Sequence, residues 1–96
     1  MKMVLVVCPE ARHEQFRNSV EEHGVHAYTE IRHAIGEGVT GKKFGNRTWP
    51  DESVIIFMVI EDEKKADVAR VVKECQSKLY PAEGMRAFVM PVEEVL

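Results

Sequence analysis

The segment GEGVTGKKFGNRTWP, residues 36–50, concentrates the residue types that hold anions. Four of the six glycines (Gly36, Gly38, Gly41 and Gly45) fall in its first ten residues. Closely spaced glycines let backbone N–H groups approach an oxyanion, and Lys42, Lys43 and Arg47 add positive charge. Set against the single acid Glu37, they leave a local charge of about +2 in a chain whose net charge is −3. The spacing is not that of a catalytic phosphate loop, because the glycines lead to Lys42-Lys43 and not to Lys-Ser/Thr. Trp49-Pro50 adds a second reading, a docking loop made of Lys42, Lys43, Arg47 and Trp49, since an aromatic anchor among cations is a frequent hot spot. A plain surface loop with glycines at its turns is the third reading, and all three stay open.

The remaining candidates are weaker. His13, His23, His26 and His33 include no HxxxH or HxH pair, and no CxxC accompanies them. On a regular strand His26 and His33, an odd number apart, point to opposite faces. His33 is therefore a lone metal candidate, and His13 and His23 read as exposed or boundary helix positions. Cys8 and Cys75 read as buried small hydrophobes and not as a disulfide framework. Glu61, Asp62 and Glu63 resemble a catalytic cluster only in isolation, because acids at a helix start complement its macrodipole. Glu30 and Arg32 share a strand face, where they either pair across an interface or face solvent. No nucleophile–base pair emerges, and Cys8-Pro9-Glu10-Ala11-Arg12 offers no glycine-rich cradle of the acylphosphatase kind. The expectation is a binding protein and not an enzyme.

These residues need positioning elements, and the pattern supplies them in order. Met3–Cys8 is a valine-rich apolar run, the mark of a central strand, and Pro9 ends it. Phe16, Val20 and His23 form the apolar stripe of a helix over Glu10–His23, which Gly24 stops. Val25–Ile35 alternates with period two and carries polar groups on both faces, so it belongs at or near a sheet edge. Gly36–Glu52 follows as a flexible excursion with no regular element in its glycine-rich part. Ser53–Ile60 is a second central strand. A second helix runs over Glu63–Leu79, burying Ala66, Ala69, Val72, Cys75 and Leu79. After Pro81 and Gly84, Met85–Met90 makes the last strand.

Strand, helix, strand, strand, helix, strand predicts an α+β, ferredoxin-like βαββαβ sandwich, a four-stranded antiparallel sheet with two helices on one face. The 96 residues form one domain, residues 1–96. Both central strands are apolar on both faces, yet the helices cover only one. A second copy of the sheet is the expected cover. The acidic pI of about 5.8 argues against nucleic acid. The run Met3–Cys8 is too short for a membrane span or a signal sequence, so a cytoplasmic location without membrane insertion is expected.

With these elements in place the chain resembles the P-II-like signalling family. The features that carry the likeness are the opening strand MVLVVCPE, the segment EEHGVHAYTEI with Thr29 in the second strand, the glycine-rich excursion and the ending EGMRAFVMPVEEV. The resemblance implies a homotrimer with ligand clefts between subunits. It sets Thr29, Gly36 and Gly38 on one wall and Gly84, Met85 and Arg86 on the other. It implies no certain cofactor, with an adenine nucleotide first among ligands, then a carboxylate or bicarbonate, then a metal ion. The regulated partner would be a transporter or an enzyme, with nitrogen regulation the associated role. The sequence departs from the family pattern in three places. Ala82-Glu83-Gly84-Met85 stands where a GDGK run is usual, Phe57 occupies the place of a strand acid, and the chain stops at Leu96, before the phosphate-gripping basic pair. These departures imply a divergent branch with a ligand other than ATP or a weaker one. The alternative is a divalent-metal-binding trimer similar to the CutA family, with His33 as its ligand.

Overall fold

Two strands carry the computed structural model, which describes residues 1–38, 41–43, 52–81 and 83–96. β1 (Lys2–Pro9) lies at the centre beside β5 (Ser53–Ile60), with β2 (Tyr28–Ala34) and β6 (Arg86–Pro91) at the edges, in the order β2-β5-β1-β6. Every pairing in this sheet is antiparallel, with Val4 opposite Met58, Val6 opposite Ile56 and Cys8 opposite Val54. These side chains point towards α1 (His13–Glu22) and α2 (Lys65–Ser77) and join Phe16, Val20, Val68, Val71, Val72 and Cys75 in one buried core. Single-face burial of both helices against alternate residues of β1 and β5 gives the expected ferredoxin-like α+β architecture.

Local chemistry sets the helix ends. Pro9 closes β1, and a single 3-10 turn over Glu10–Arg12 leads into α1. At its other end Gly24 takes φ +84° while its N–H bonds Glu21 O and the Val25 N–H bonds Val20 O, each at 3.0 Å. That pair of bonds is a Schellman closure, and the buried Val20 and Val25 supply its hydrophobic contact. Lys64 Nζ donates to His23 O at 2.8 Å, tying the start of α2 to the end of α1. Val25 therefore belongs to this closure and not to the second strand.

Three further expectations change. α2 buries Val68, Val71, Val72 and Cys75, a stripe rotated from the one expected, while Ala66 is exposed. Turning the valines inward removes more apolar surface from water than turning the alanines in. His13 is buried, with its Nδ1 2.7 Å from Glu10 O, because the 3-10 turn tucks the first residue of α1 under the chain. The excursion also contains regular structure, since β3 (Gly36–Gly38) and β4 (Gly41–Lys43) pair as an antiparallel hairpin. Glycine weakens a ladder without forbidding it.

Among the described residues, no helix covers the other sheet face. Across it run Val59–Met3–Met90, Phe57–Leu5–Phe88 and Ile55–Val7–Arg86. Phe88 is 53% exposed, Met90 40% and Val59 37%.

Three measurements check this description. Phe16→Ala should cost about 3–5 kcal/mol in urea unfolding, because it empties the centre of the core. Gly24→Ala should cost about 1 kcal/mol or more, since it forces a side chain into left-handed backbone beside Lys64 Nζ. Burial pushes the Cys8 thiol up to about 12 from 9.0. Native protein at pH 8 should then leave both buried cysteines unreactive towards a thiol reagent until it is unfolded. The same shift makes Cys8's contribution to stability complete below pH 9 and progressively lost as pH rises towards 12, because only the unfolded chain releases the proton early.

Candidate functional site

β2 ends irregularly, and that irregularity builds a cluster. Ile31 pairs with Ile55, but Ala34 pairs with Ser53, so the register shifts between them, and His33 adopts φ +61°. A bulge of this kind re-aims a side chain. Here His33 Nδ1 comes 3.1 Å from Glu52 Oε2, just before β5 begins. Glu10, at the exit of β1, completes the group, and the donor atoms of Glu10, His33 and Glu52 lie within 4.8 Å of one another. Glu10 N–H donates to Glu52 O at 3.0 Å, which fixes the two acidic positions side by side. The parity argument that set His26 and His33 on opposite faces assumes an unbroken strand, and the bulge removes that premise.

The flanking charges also pair inside the chain. Arg17 Nη1 donates to Glu30 Oε1 at 3.3 Å, and Arg32 Nη2 approaches Glu10 Oε1 at 3.9 Å. Tyr28 Oη donates to Glu21 Oε2 at 2.6 Å, and this bond is the main reason its hydroxyl titrates above the ordinary range. Glu30 and Arg32 thus bind neighbouring elements of their own chain.

A second polar network holds the turn before β6. Arg12 Nη2 donates to Glu83 Oε1 at 3.1 Å, which is the leading cause of the rise in the Arg12 pKa. Tyr80 N–H donates to the same carboxylate oxygen at 2.8 Å, and the Arg12 guanidinium lies 5.1 Å from the centre of the Tyr80 ring. Arg12 and Glu83 are 71 residues apart, so no local spacing signals the pair.

The expected ligand residues fall on these two regions. Thr29 is exposed on β2 opposite Phe57. Gly36 opens β3 in open space, with nothing within 4 Å of where a Cβ would stand, and Gly38 pairs with Gly41 in the hairpin. On the other side Gly84 is half-buried and Arg86 is exposed at the start of β6. Met85 is a core residue, 4% exposed, whose carbonyl accepts from Gln76 Nε2 at 2.9 Å, so its side chain does not line an open wall. Lys42 and Lys43 lie in β4, while Arg47 and Trp49 fall outside the described residues. Thr29 stands on β2 and Arg86 on β6, the opposite edges of the sheet, while Gly36 and Gly38 lie in the separate β3–β4 hairpin. Three interstrand spacings, about 14 Å, separate those edges, so Thr29 and Arg86 do not meet within one chain.

No helix among the described residues is long and apolar enough to cross a membrane. Two solved structures of CPII, a nitrogen regulatory PII-like protein from Thiomonas intermedia K12, share this fold. One, bound to ADP, AMP and bicarbonate, superposes with a TM-score of 0.76 at 19% identity, covering 92% of this chain and 81% of that one. The other, bound to ADP and bicarbonate, gives a TM-score of 0.72 at 15% identity, over 97% and 88% of the respective chains. No curated protein matches the chain. The family model described as nitrogen regulatory protein P-II, however, matches residues 1–96. The chain belongs to the P-II family.

Proposed function

We propose that this protein is a homotrimeric regulator that binds an adenine nucleotide, or a small anion such as bicarbonate, in clefts between subunits. Occupancy of the cleft is passed to a protein partner, a transporter or an enzyme, through the excursion Gly36–Glu52. The observation that carries this reading is the placement of Thr29 and Arg86 on the opposite edge strands of a sheet whose second face leaves Val59, Phe88 and Met90 exposed. When the β2 edge of one copy meets the β6 edge of the next, the contact is heterologous, and a three-fold rotation closes it into a ring. Thr29, Gly36 and Gly38 of one copy then face Gly84 and Arg86 of its neighbour, while the open faces bury Leu5, Phe57 and Phe88 against one another. The CPII structures support the choice of ligand, because both hold ADP and bicarbonate. The CutA-like alternative shares the trimeric architecture, but the family match favours the P-II reading.

The mechanism is a population shift. A ligand that contacts both walls stabilises the excursion conformation that completes its site, by as much as its affinity differs between conformations. A population shift requires no chemistry on the ligand, in keeping with a binding protein and not an enzyme.

Two experiments test the proposal. Sedimentation should give a trimer at micromolar concentration, and Phe88→Asp should dissociate it; a stable wild-type monomer rules the clefts out. Calorimetry with ADP, AMP and bicarbonate should show binding that Arg86→Ala weakens by about tenfold or more, as expected on losing a charged hydrogen bond. If none of the three ligands binds the intact trimer, the ligand assignment fails.

A further inference from the structure

The convergence of Glu10, His33 and Glu52 has no explanation in the cleft reading, and a hydrogen bond explains only part of it. His33 and Glu52 satisfy each other at 3.1 Å. The second carboxylate gains nothing from that pair, and two carboxylates brought together repel unless a cation lies between them. The cation at hand, Arg32, approaches Glu10 only at 3.9 Å and is itself more than half exposed. One imidazole and two carboxylates are instead the donor set of a first-row divalent ion, with a charge of −2 to match it when the imidazole is neutral.

We infer that Glu10, His33 and Glu52 form a binding site for a divalent transition-metal ion of the zinc class, contained within one chain. Bond lengths of 2.0–2.2 Å bring such donors to about 3.4 Å from one another. The His33–Glu52 separation is already that short, and no separation in the group exceeds 4.8 Å, so a swing on the order of 1 Å closes the set. His33 is 67% exposed along its side chain and free to make that movement. Three protein ligands leave a further position for water or for an oxygen of a ligand.

The site's location gives the metal a consequence. His33 lies one residue before the end of β2, shortly before the excursion Gly36–Glu52, Glu52 is the excursion's last residue, and Glu10 lies at the exit of the central strand β1. A bound ion ties both ends of the excursion to the sheet. The site is complete in one subunit and does not depend on the intersubunit reading, so a failed nucleotide titration leaves it untouched.

The test uses the full chain, stripped with a chelator and titrated with zinc by calorimetry and with cobalt by visible absorption. One ion per chain is expected, with cobalt bands that report nitrogen and oxygen ligation. His33→Asn retains a residue tolerant of left-handed backbone, and Glu52→Gln keeps the shape of the side chain. Each should lower zinc affinity about tenfold or more with an unchanged circular dichroism spectrum, while His26→Ala should leave affinity as it was. Absent uptake at near-millimolar zinc, or uptake indifferent to both His33→Asn and Glu52→Gln, overturns the site.

Discussion

The structure depends on an imbalance in how its sheet is covered. β1 and β5 are apolar on both faces, and the chain provides helices for one. On the helix side Val4, Val6, Cys8, Val54, Ile56 and Met58 are almost wholly removed from water. On the other side Val59, Phe88 and Met90 remain well exposed. At roughly 25 cal/mol per Å² of apolar surface, closing that second face would be a favourable change for the folded chain. The helices complete one side of the sheet, and the bare face is the surface on which the proposed association of copies rests.

That constraint places chemistry at the edges. Two central strands hold β2 and β6 apart, so residues of these outer strands do not meet across the sheet of one chain. The edges are accordingly where the long-range polar contacts concentrate. Arg17 with Glu30 and Tyr28 with Glu21 fasten α1 to β2. Arg12 with Glu83 fastens the chain after β1 to the turn before β6. Lys64 caps the last turn of α1 from the start of α2. Each contact is modest in energy, because surface ion pairs are screened and cost side-chain entropy. Their value lies in geometry, since they fix the turns and helix ends that flank the edge strands.

The register shift in β2 is the point where strand geometry and site geometry meet. An unbroken strand would keep successive side chains on alternating faces and carry His33 past Glu52. The extra residue and the left-handed backbone at His33 bring the imidazole onto the carboxylate. A local departure from regular pairing thus turns an ordinary edge strand into the root of a charged cluster, directly beside the hairpin of β3 and β4.

The sequence by itself determined the element order, the two central strands, the edge position of β2 and the bare apolar face. Each follows from periodicity and from glycine and proline punctuation, which act over a few residues and are visible in one dimension. The family likeness was legible for the same reason, since the order of elements runs the length of the chain. Tertiary structure alone decided the rotation of α2 onto Val68 and Val71, the burial of His13 and Met85, and the pairing of Gly36–Gly38 with Gly41–Lys43. It also decided the union of Glu10, His33 and Glu52, and of Arg12 with Glu83. Those outcomes depend on which surfaces meet at packing distance and on one inserted residue in a ladder, and a linear pattern does not encode contacts between side chains that lie 19 or 71 residues apart.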